Sequence, residues 1–412
     1  MRKFIVILLL AAAVSAQQAK KVPTLRVLSR NEMTSPNSTS LAREPMIVEH
    51  PGGTLFVAGY GSNNPNDTPR LWRSTDRGRH WEKVNVGTAA EGAIGNSDVD
   101  LALAPDGRLY FVSMGFDRAT SQGTHITVGV SKDAGATWKW SVLTRQPKVD
   151  RPWVAVAHDG TAYVIWNDGA SVFCATSKDG GATWATNTVS SKGGGSSHLV
   201  VGSMNEIAVR LTPVSQSGAV FTPGRDRIAV STDGGKTWTD RAAPGERDWV
   251  SLEKFGPNDT PRWVEPLAWA DDGTLYSLWT TKDAVWLAGS KDAGETWKQW
   301  KIASCAMVCY FPYLVVRGNH LAATWSMGLD EKQEIHVARI VLGTSGPLVI
   351  PLLRPFNPNI WSDGDKPTDP QQRGTGGEYY AATFLQDGTL AVVTPVRNKR
   401  KTKFGFTLWR FR

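Results

Sequence analysis

Arginine, carboxylate and tyrosine side chains stand in small groups just ahead of the short apolar segments of this 412-residue sequence. A guanidinium group binds a carboxylate at two points, and carboxylates and tyrosine hydroxyls hydrogen-bond to hydroxyl-rich molecules such as sugars. Such a set suits an anionic or hydroxylated ligand. The alternative is that these side chains pair with one another and only cap the surface on which they meet. The set consists of Arg43, Glu44, Asp98, Asp100, Asp150, Arg151, Arg262, Glu265, Arg373, Glu378, Tyr379 and Tyr380.

Metal-ligand patterns are absent from the sequence. The seven His residues show no His-x3-His or His-Glu-x-x-His spacing, and the three Cys residues form no Cys-x-x-Cys pair. The hexapeptide at residues 65–70 recurs identically at residues 257–262, and its carboxylates could bind structural Ca²⁺. Its two prolines favour a conformational role instead. No metal site and no cofactor is therefore predicted.

The first residues have the features of an export signal. Arg2 and Lys3 precede an apolar run, residues 4–14, which is too short to span a bilayer, and the small residues Ser15 and Ala16 follow it. We expect a signal peptide at residues 1–16, cleaved after Ala16, and a secreted or periplasmic product of residues 17–412. No later stretch is apolar for long enough to form a transmembrane helix, so no membrane insertion is expected.

The cysteines and the charge exclude two further classes of protein. Three Cys residues cannot form a disulfide framework; Cys305 and Cys309 can bridge around a turn and leave Cys174 unpaired, or all three are buried thiols. The formal charge of +8 is concentrated in residues 397–412, which hold seven basic residues and no acid; Arg2 and Lys3 add two more, so the rest of the chain carries about −1. This segment lacks interleaved stacking surfaces along a groove, so it is expected to be a solvated loop between strands rather than a nucleic-acid site.

One short pattern, Ser-x-Asp-x-Gly-x-Thr-Trp with His for Thr in the first copy, occurs five times. The copies begin at Ser74, Ser131, Ser177, Ser231 and Ser290. Ser and Asp side chains can accept backbone N–H groups, Gly allows positive φ, and Trp can pack against a neighbouring sheet. The pattern predicts a turn between two strands, in which the Asp is structural rather than catalytic.

Pairs of short apolar segments around tight turns accompany this pattern. Each pair is followed by a third strand, and the Asp-bearing turn leads into a fourth. Four-stranded antiparallel units repeated every 40 to 60 residues or so predict an all-β fold, a single β-propeller domain that acts as a monomer. Seven blades are favoured and six are the alternative, with residues 24–28 completing the last blade so that the terminal strands close the ring. The seven hairpins are predicted at residues 46–58, 101–112, 154–165, 199–210, 267–278, 313–325 and 380–393.

The fivefold pattern resembles the Asp-box, or bacterial neuraminidase repeat (BNR), of the sialidase superfamily, and the resemblance covers nearly the whole mature chain. It implies a β-propeller, and it is weakly specific for activity because secreted propellers other than sialidases share the box. In such a ring the loops that lead into each first strand lie opposite the Asp turns. The polar set above would then converge around the mouth of the central channel.

The resemblance also implies a catalytic set. In sialidases an arginine cluster binds the substrate carboxylate, a Tyr activated by a Glu attacks the anomeric carbon, and an Asp handles the leaving-group proton. By position in the sequence, Tyr380 resembles the nucleophile, Glu265 its activator, Asp67 the acid/base and Arg43 the first guanidinium.

The remaining parts of the family's site are matched less completely. The strand after the activating Glu carries no Arg where the family has its second guanidinium, and Arg354 or Arg373 could supply the third. Asp100, Arg151 and Tyr379 are further candidates for substrate binding. Two hypotheses follow: an exo-glycosidase of sialidase type acting on terminal sugars, or a non-catalytic propeller that binds glycan or protein at the same mouth.

Overall fold

The computed structural model describes residues 23–35, 43–60, 64–192, 194–215, 220–221, 224–245, 248–249, 265–328, 334–343, 346–356, 380–397 and 404–412. Within these ranges the chain forms seven four-stranded antiparallel sheets, two short two-stranded ribbons and one 3-10 turn, Ala89–Glu91. None of the helices in these ranges is long and apolar enough to cross a membrane.

Each sheet is one blade, whose first strand lies nearest the channel and whose fourth strand lies outermost. Blade 1 contains Arg43–Glu49, Leu55–Tyr60, Arg70–Ser74 and Glu82–Lys83. Blade 2 contains Ser97–Leu103, Leu109–Asp117, Gln122–Ser131 and Lys139–Thr144. Blade 3 contains Asp150–Val156, Ala162–Asn167, Val172–Ser177 and Ala185–Ser190. Blade 4 contains Gly195–Val201, Ile207–Thr212, Arg227–Ser231 and Thr239–Ala242.

The last three blades repeat the same order. Blade 5 contains Leu267–Trp269, Leu275–Thr281, Ala284–Ser290 and Lys298–Ser304. Blade 6 contains Cys309–Arg317, His320–Met327, Glu334–Gly343 and Gly346–Pro351. Blade 7 contains Ala382–Phe384, Leu390–Arg397, Phe404–Phe411 and, outermost, Val27–Ser35. The ribbons pair Val214–Ser215 with Val220–Phe221, and Gly224–Arg225 with Asp248–Trp249.

The first strands of consecutive blades pack side by side around one axis, and the first strand of blade 7 returns to that of blade 1. The seven predicted hairpins all form, which confirms the seven-bladed propeller and excludes six blades. The predicted closure is confirmed as well: Val27–Ser35 pairs with Phe404–Phe411 along its whole length. This strand begins later than the predicted residues 24–28 because Leu25 instead bridges to Leu352 of blade 6.

The Asp-boxes form the turns between third and fourth strands, as blade 2 illustrates. Ser131 Oγ accepts the N–H of Gly135 at 2.8 Å, and Asp133 accepts both the N–H and the hydroxyl of Thr137, at 2.8 and 2.6 Å. Trp138 Nε1 donates to the carbonyl of Gly135. These hydrogen bonds, above all those from Thr137, lower the pKa of Asp133 to about 2. The carboxylate is therefore ionised at neutral pH and engaged in holding the turn.

Of the two alternatives that the sequence left open, the disulfide is present: Cys305 and Cys309 are bonded and link the end of the outermost strand of blade 5 to the first strand of blade 6. The alternative of three free thiols is wrong. Cys174 is buried, and burial raises the pKa of its thiol to about 12, so it stays protonated and unreactive.

The residue after the Asp of each box has a left-handed backbone, which is unfavourable for residues with a Cβ. Its φ is 52° at both Ala134 and Ala293, and 73° and 74° at Gly180 and Gly234. A residue with a Cβ there destabilises the folded state by about 1–2 kcal/mol. Replacing that residue by Gly removes this strain, but the greater conformational entropy of Gly in the unfolded chain offsets about 0.4–1 kcal/mol of the gain in stability. Ala134→Gly should therefore raise the free energy of unfolding by about 0.5–1 kcal/mol in urea titrations.

Gly234 occupies the equivalent position in another Asp-box, so the reverse substitution there serves as a control. A Cβ at Gly234 would meet nothing closer than the Tyr163 hydroxyl at 3.5 Å, so Gly234→Ala tests the backbone conformation without a clash. It should lower the free energy of unfolding by a similar amount. Two variants that both leave the urea midpoint unchanged would contradict the assignment of strain to this position.

Candidate functional site at the channel mouth

The two ends of the channel are distinguished by the turns around them. The Asp-box of blade 1 and the inner hairpin turn of blade 7 lie on the same face, because Arg77 Nη1 approaches Asp387 Oδ2 at 3.5 Å. We call this the Asp-box face. The opposite end, where each first strand begins, is the mouth. Of the set of polar residues singled out in the sequence, those that the structure describes lie in or directly before first strands, which begin at the mouth.

Irregular backbone marks the mouth ends of the first strands. The pairing register shifts there in five blades. In three of them a non-glycine residue with positive φ precedes a proline: Glu44 at 45°, Arg151 at 54° and Phe311 at 51°. Such conformations cost about 1–3 kcal/mol each and cluster at functional sites. Each bulge takes one side chain out of the alternation of its strand at the mouth end.

Blade 1 brings a tyrosine and a carboxylate together at this point. The Tyr60 hydroxyl donates to Glu44 Oε2 at 2.6 Å, a short hydrogen bond to a carboxylate acceptor. Both residues are 6% exposed, so the pair is held in a largely desolvated position. A carboxylate in this position can take the phenol proton as a general base and make the tyrosine oxygen a nucleophile.

Further carboxylates and guanidinium groups lie at the mouth ends of blades 1 to 3. Asp67, in the loop before the third strand of blade 1, accepts a hydrogen bond from Asn64 Nδ2 at 3.1 Å and lies near Arg70. Arg151 Nε lies 3.5 Å from Asp150 Oδ2, and both side chains are mostly buried. The described residues include no group of three or more His, Cys, Asp or Glu side chains able to hold a metal ion.

A layer of side chains from five blades closes the channel beneath the mouth; we call it the plug and define it as Met46, Asp100, Trp153, His198 and Tyr313. Tyr313 Oη donates to Met46 Sδ at 3.6 Å, and its ring centroid lies 5.0 Å from that of His198. The His198 ring stacks on Trp153 at 4.3 Å. These contacts join non-neighbouring blades, so the plug lies on the channel axis.

Burial changes the pKa values of three residues of the plug. It lowers the pKa of His198 to about 3 and raises the pKa of Asp100 to about 7, although the N–H groups of Val154 and Leu101 donate to that carboxylate. Burial, with the nearby Asp100, also raises the pKa of Tyr313. The imidazole is therefore neutral at physiological pH. Asp100, predicted to bind substrate, lies in this layer and not at the rim.

Glu265 belongs to a buried ion-pair cluster that also contains Arg210 and Asp226. Its Oε2 lies 2.5 Å from Arg210 Nη2, which also donates to Asp226 Oδ2 at 3.1 Å. The three side chains have no exposed surface. The Glu265 carbonyl accepts the Ser197 hydroxyl at 2.6 Å, which ties blade 5 to blade 4. The carboxylate predicted to activate the nucleophile thus bonds to an internal guanidinium.

Tyr380, the predicted nucleophile, lies directly before the first strand of blade 7 and is fully buried. It belongs to the apolar cluster between blades 6 and 7, and its carbonyl accepts the Thr324 hydroxyl at 3.2 Å. Blade 6 stands between its blade and that of Glu265.

Arg354 is exposed after the outermost strand of blade 6. Arg43 begins the first strand of blade 1, whereas Arg373, Tyr379, Arg262 and Glu378 lie outside the described residues.

The residues that the Glu44 and Glu265 carboxylates contact, Tyr60 and Arg210, were not predicted from the sequence. Arg210 is the single charged residue of the strand Ile207–Thr212, whose six residues are all buried, and a cation in such a strand signals an internal carboxylate. Tyr60 ends a fully buried strand of blade 1 and had no comparable signal. His198 and Tyr313 each follow the beginning of a first strand, and only the ring closure brings them together.

The buried cluster yields a stability prediction. Replacing Arg210 by Met leaves two buried carboxylates without their cation, so the free energy of unfolding should fall by about 3–5 kcal/mol. Arg227 of the same blade pairs with Asp240 near the surface, and Arg227→Met should cost about 0–1 kcal/mol. Urea unfolding of both variants measures the difference. Equal losses would show that the buried cluster contributes no more than the surface pair.

Two solved structures of distant proteins share the fold of this chain. An α-L-arabinofuranosidase of Fusarium graminearum, solved with arabinobiose, aligns with a TM-score of 0.50 and 13% identity over 94% of this chain and 98% of its own. A protein of unknown function from Dyadobacter fermentans aligns with a TM-score of 0.52 and 14% identity over 95% of this chain and 100% of its own. The NanB sialidase of Streptococcus pneumoniae gives 0.41 and 12%, over 93% and 70%.

Sequence comparison identifies the family. No curated protein matches the chain in sequence. The model of the BNR repeat-like domain matches residues 13–243, more than half of the chain and four of its five Asp-boxes. Together with the seven-bladed ring, this match shows that the chain belongs to the BNR repeat-like domain family of β-propellers.

Proposed function

We propose that this protein is an exo-glycosidase that takes a terminal sugar into the channel mouth on the side of blades 1 to 3. The observation that carries the proposal is the hydrogen bond from Tyr60 to Glu44 on a strained bulge. A tyrosine activated by a carboxylate suits an anionic sugar such as sialic acid, because a neutral nucleophile is not repelled by the substrate's carboxylate. Arg151 at the same mouth, and Arg43 beside Glu44 in the sequence, supply the cationic partners.

Tyr60 serves as the nucleophile in this proposal, Glu44 as its activator and Asp67 as the acid/base group. The sequence-based assignment of Tyr380 and Glu265 to the first two roles remains a second proposal. We prefer Tyr60 because its hydroxyl already bonds to a carboxylate, whereas the Glu265 carboxylate bonds to the buried Arg210. The fold shared with an arabinofuranosidase supports a glycosidase and adds arabinofuranosides to the candidate substrates.

A non-catalytic propeller that binds glycan at the same mouth is the second candidate function. The observation that favours it is the buried ion-pair cluster, which gives Glu265 a structural role. In that case the mouth residues would hold a sugar without cleaving it.

Turnover of a panel of fluorogenic glycosides, with sialosides and arabinofuranosides included, tests these assignments. Tyr60→Phe and Glu44→Gln should each lower kcat/KM by about 10²–10⁴-fold on the substrate that is cleaved, since each removes the nucleophile or its base. Tyr110→Phe is the matched control, because Tyr110 is fully buried in blade 2 and its hydroxyl has no hydrogen-bond partner in the described structure. It should retain full activity.

The outcomes separate the three proposals. Activity that survives Tyr60→Phe and is lost in Tyr380→Phe and Glu265→Gln would overturn our assignment in favour of the second pair. Absence of turnover on every substrate, combined with retention on a glycan array, would identify a binding propeller. Circular dichroism spectra of all variants would confirm that they fold.

We further propose that the protein is exported with cleavage after Ala16. The basic start, the short apolar run and the small residues before Gln17 support this, and the Cys305–Cys309 bond suits an oxidising compartment. Edman sequencing of the protein recovered from the medium or periplasm should begin at Gln17. Retention in the cytoplasm with Met1 in place would contradict the proposal.

A further inference from the structure

The channel is lined by two layers of very different size. Along a strand alternate residues face the same side, so the residues two positions after the plug face the axis nearer the Asp-box face. Trp153 is followed in this way by Ala155, and Tyr313 by Val315. The bulky layer closes the channel, and the small layer leaves it open.

The open part of the channel is a shaft of about 370 Å³ whose lining side chains are mostly apolar, among them Ala155, Val200, Ala268 and Val315. The first strands of five blades contribute to it. Its inner end is closed by the plug. An apolar cavity of this size is typical of a small-molecule site, because filling it removes apolar surface from water.

A polar vestibule of about 560 Å³ adjoins the shaft on the Asp-box face. The two cavities share Arg317 and Phe384 as a common wall. Arg317 donates to the carbonyls of Leu385 and Gln386 and so fixes the turn of blade 7. The vestibule thus has a rigid rim around the shaft opening.

Arg339 is the cation best placed to receive a ligand in the vestibule. Its guanidinium carbon lies 5.7 Å from the centre of the Phe384 ring, which holds the group at the common wall. Its Nε is buried and has no hydrogen-bond partner among the described residues, and neither has Nδ1 of His320 on the same rim. Arg339 lines the vestibule, and a guanidinium group in that position can donate two N–H groups to an anionic ligand.

Two carboxylates also lie on this rim, Asp271 and Asp387. Asp387 accepts a hydrogen bond from Arg410 Nη2 at 2.9 Å and approaches Arg77 at 3.5 Å, so its charge is compensated. The lining holds two guanidinium groups and two carboxylates, and Arg77 and Arg410 add positive charge beside Asp387, so the vestibule accommodates an anionic group.

We propose that the shaft and vestibule together bind an aliphatic carboxylate, with the hydrocarbon chain in the shaft and the carboxylate on Arg339. The mostly apolar side chains of the shaft account for the chain, and the Arg339 guanidinium at the common wall accounts for the head group. This site lies on the face opposite the mouth, is separated from it by the plug, and does not depend on the proposed glycosidase activity.

Isothermal titration of the mature protein with hexanoate, heptanoate, octanoate and octanol tests the proposal. Each added methylene should increase affinity about fourfold, since burying one CH₂ contributes about 0.8 kcal/mol. Octanol should bind more weakly than octanoate. Affinity that does not change with chain length, or an absence of octanoate binding at millimolar concentrations, would overturn the proposal.

Variants separate the two halves of the site. Arg339→Gln should weaken octanoate about tenfold and leave octanol unchanged, as expected for the loss of a charge-assisted hydrogen bond. Ala155→Leu fills the shaft and should weaken both ligands at least as much; Ala268→Val is the milder substitute should the first variant fold poorly. The control is Arg108→Gln, because Arg108 is paired with Asp106 in the inner turn of blade 2, outside the vestibule lining.

Unchanged octanoate affinity in Arg339→Gln, or in both shaft variants, would place the ligand elsewhere and overturn the assignment. Loss of octanoate binding in Arg108→Gln would point to a general effect of surface charge and would overturn it too. Thermal unfolding midpoints of all four variants verify that the propeller is intact in each.

Discussion

The pairing of the chain's two ends within blade 7 is the constraint on which the other features depend. Val27–Ser35 adds the outermost strand to a sheet whose other three strands come from the C-terminal part of the chain. Because this register holds the first blade against the last, the seven first strands face one axis. The plug exists only under that closure, since Tyr313 of blade 6 contacts Met46 of blade 1 and His198 of blade 4. A linear array of the same blades would have neither channel nor mouth.

Closure of the blades around one axis leaves a central channel. In this protein side chains fill the channel near the mouth and leave it open nearer the Asp-box face. The bulky residues near the mouth close the channel and desolvate the polar groups within the plug. This burial raises the pKa of Asp100, one of the plug residues, to about 7. Two positions along the same strands, Ala155 and Val315 leave the shaft open. The two ends therefore differ chemically. One has strained polar bulges, and the other has a shaft of mostly apolar side chains with arginines and aspartates on its rim.

The sequence predicted the fold because the fold's signals are local. Each Asp-box forms hydrogen bonds within seven or eight residues, and these bonds are the ones that the spacing of Ser, Asp, Gly and Thr implied. The sequence predicted where the mouth lies but not which of its side chains contact one another. The contact of Arg210 with Glu265 joins neighbouring blades between residues far apart in the sequence, so no spacing along the chain predicts it. The contact of Tyr60 with Glu44 depends on a bulge, whose positive φ before a proline runs against ordinary preference.

The repeated bulge explains how a uniform ring can carry a specific site. Glu44, Arg151 and Phe311 occupy the same backbone conformation in three blades, so the framework sets where each side chain points and the residue type sets its chemistry. A carboxylate, a guanidinium group and an aromatic ring thus occupy equivalent backbone positions at the mouth ends of three blades. Because the strain of each bulge is borne by a four-stranded sheet tied to its neighbours, the rim stays positioned in the absence of a ligand. The chemistry of the mouth is accordingly decided by single residues on a backbone that the ring already holds in place.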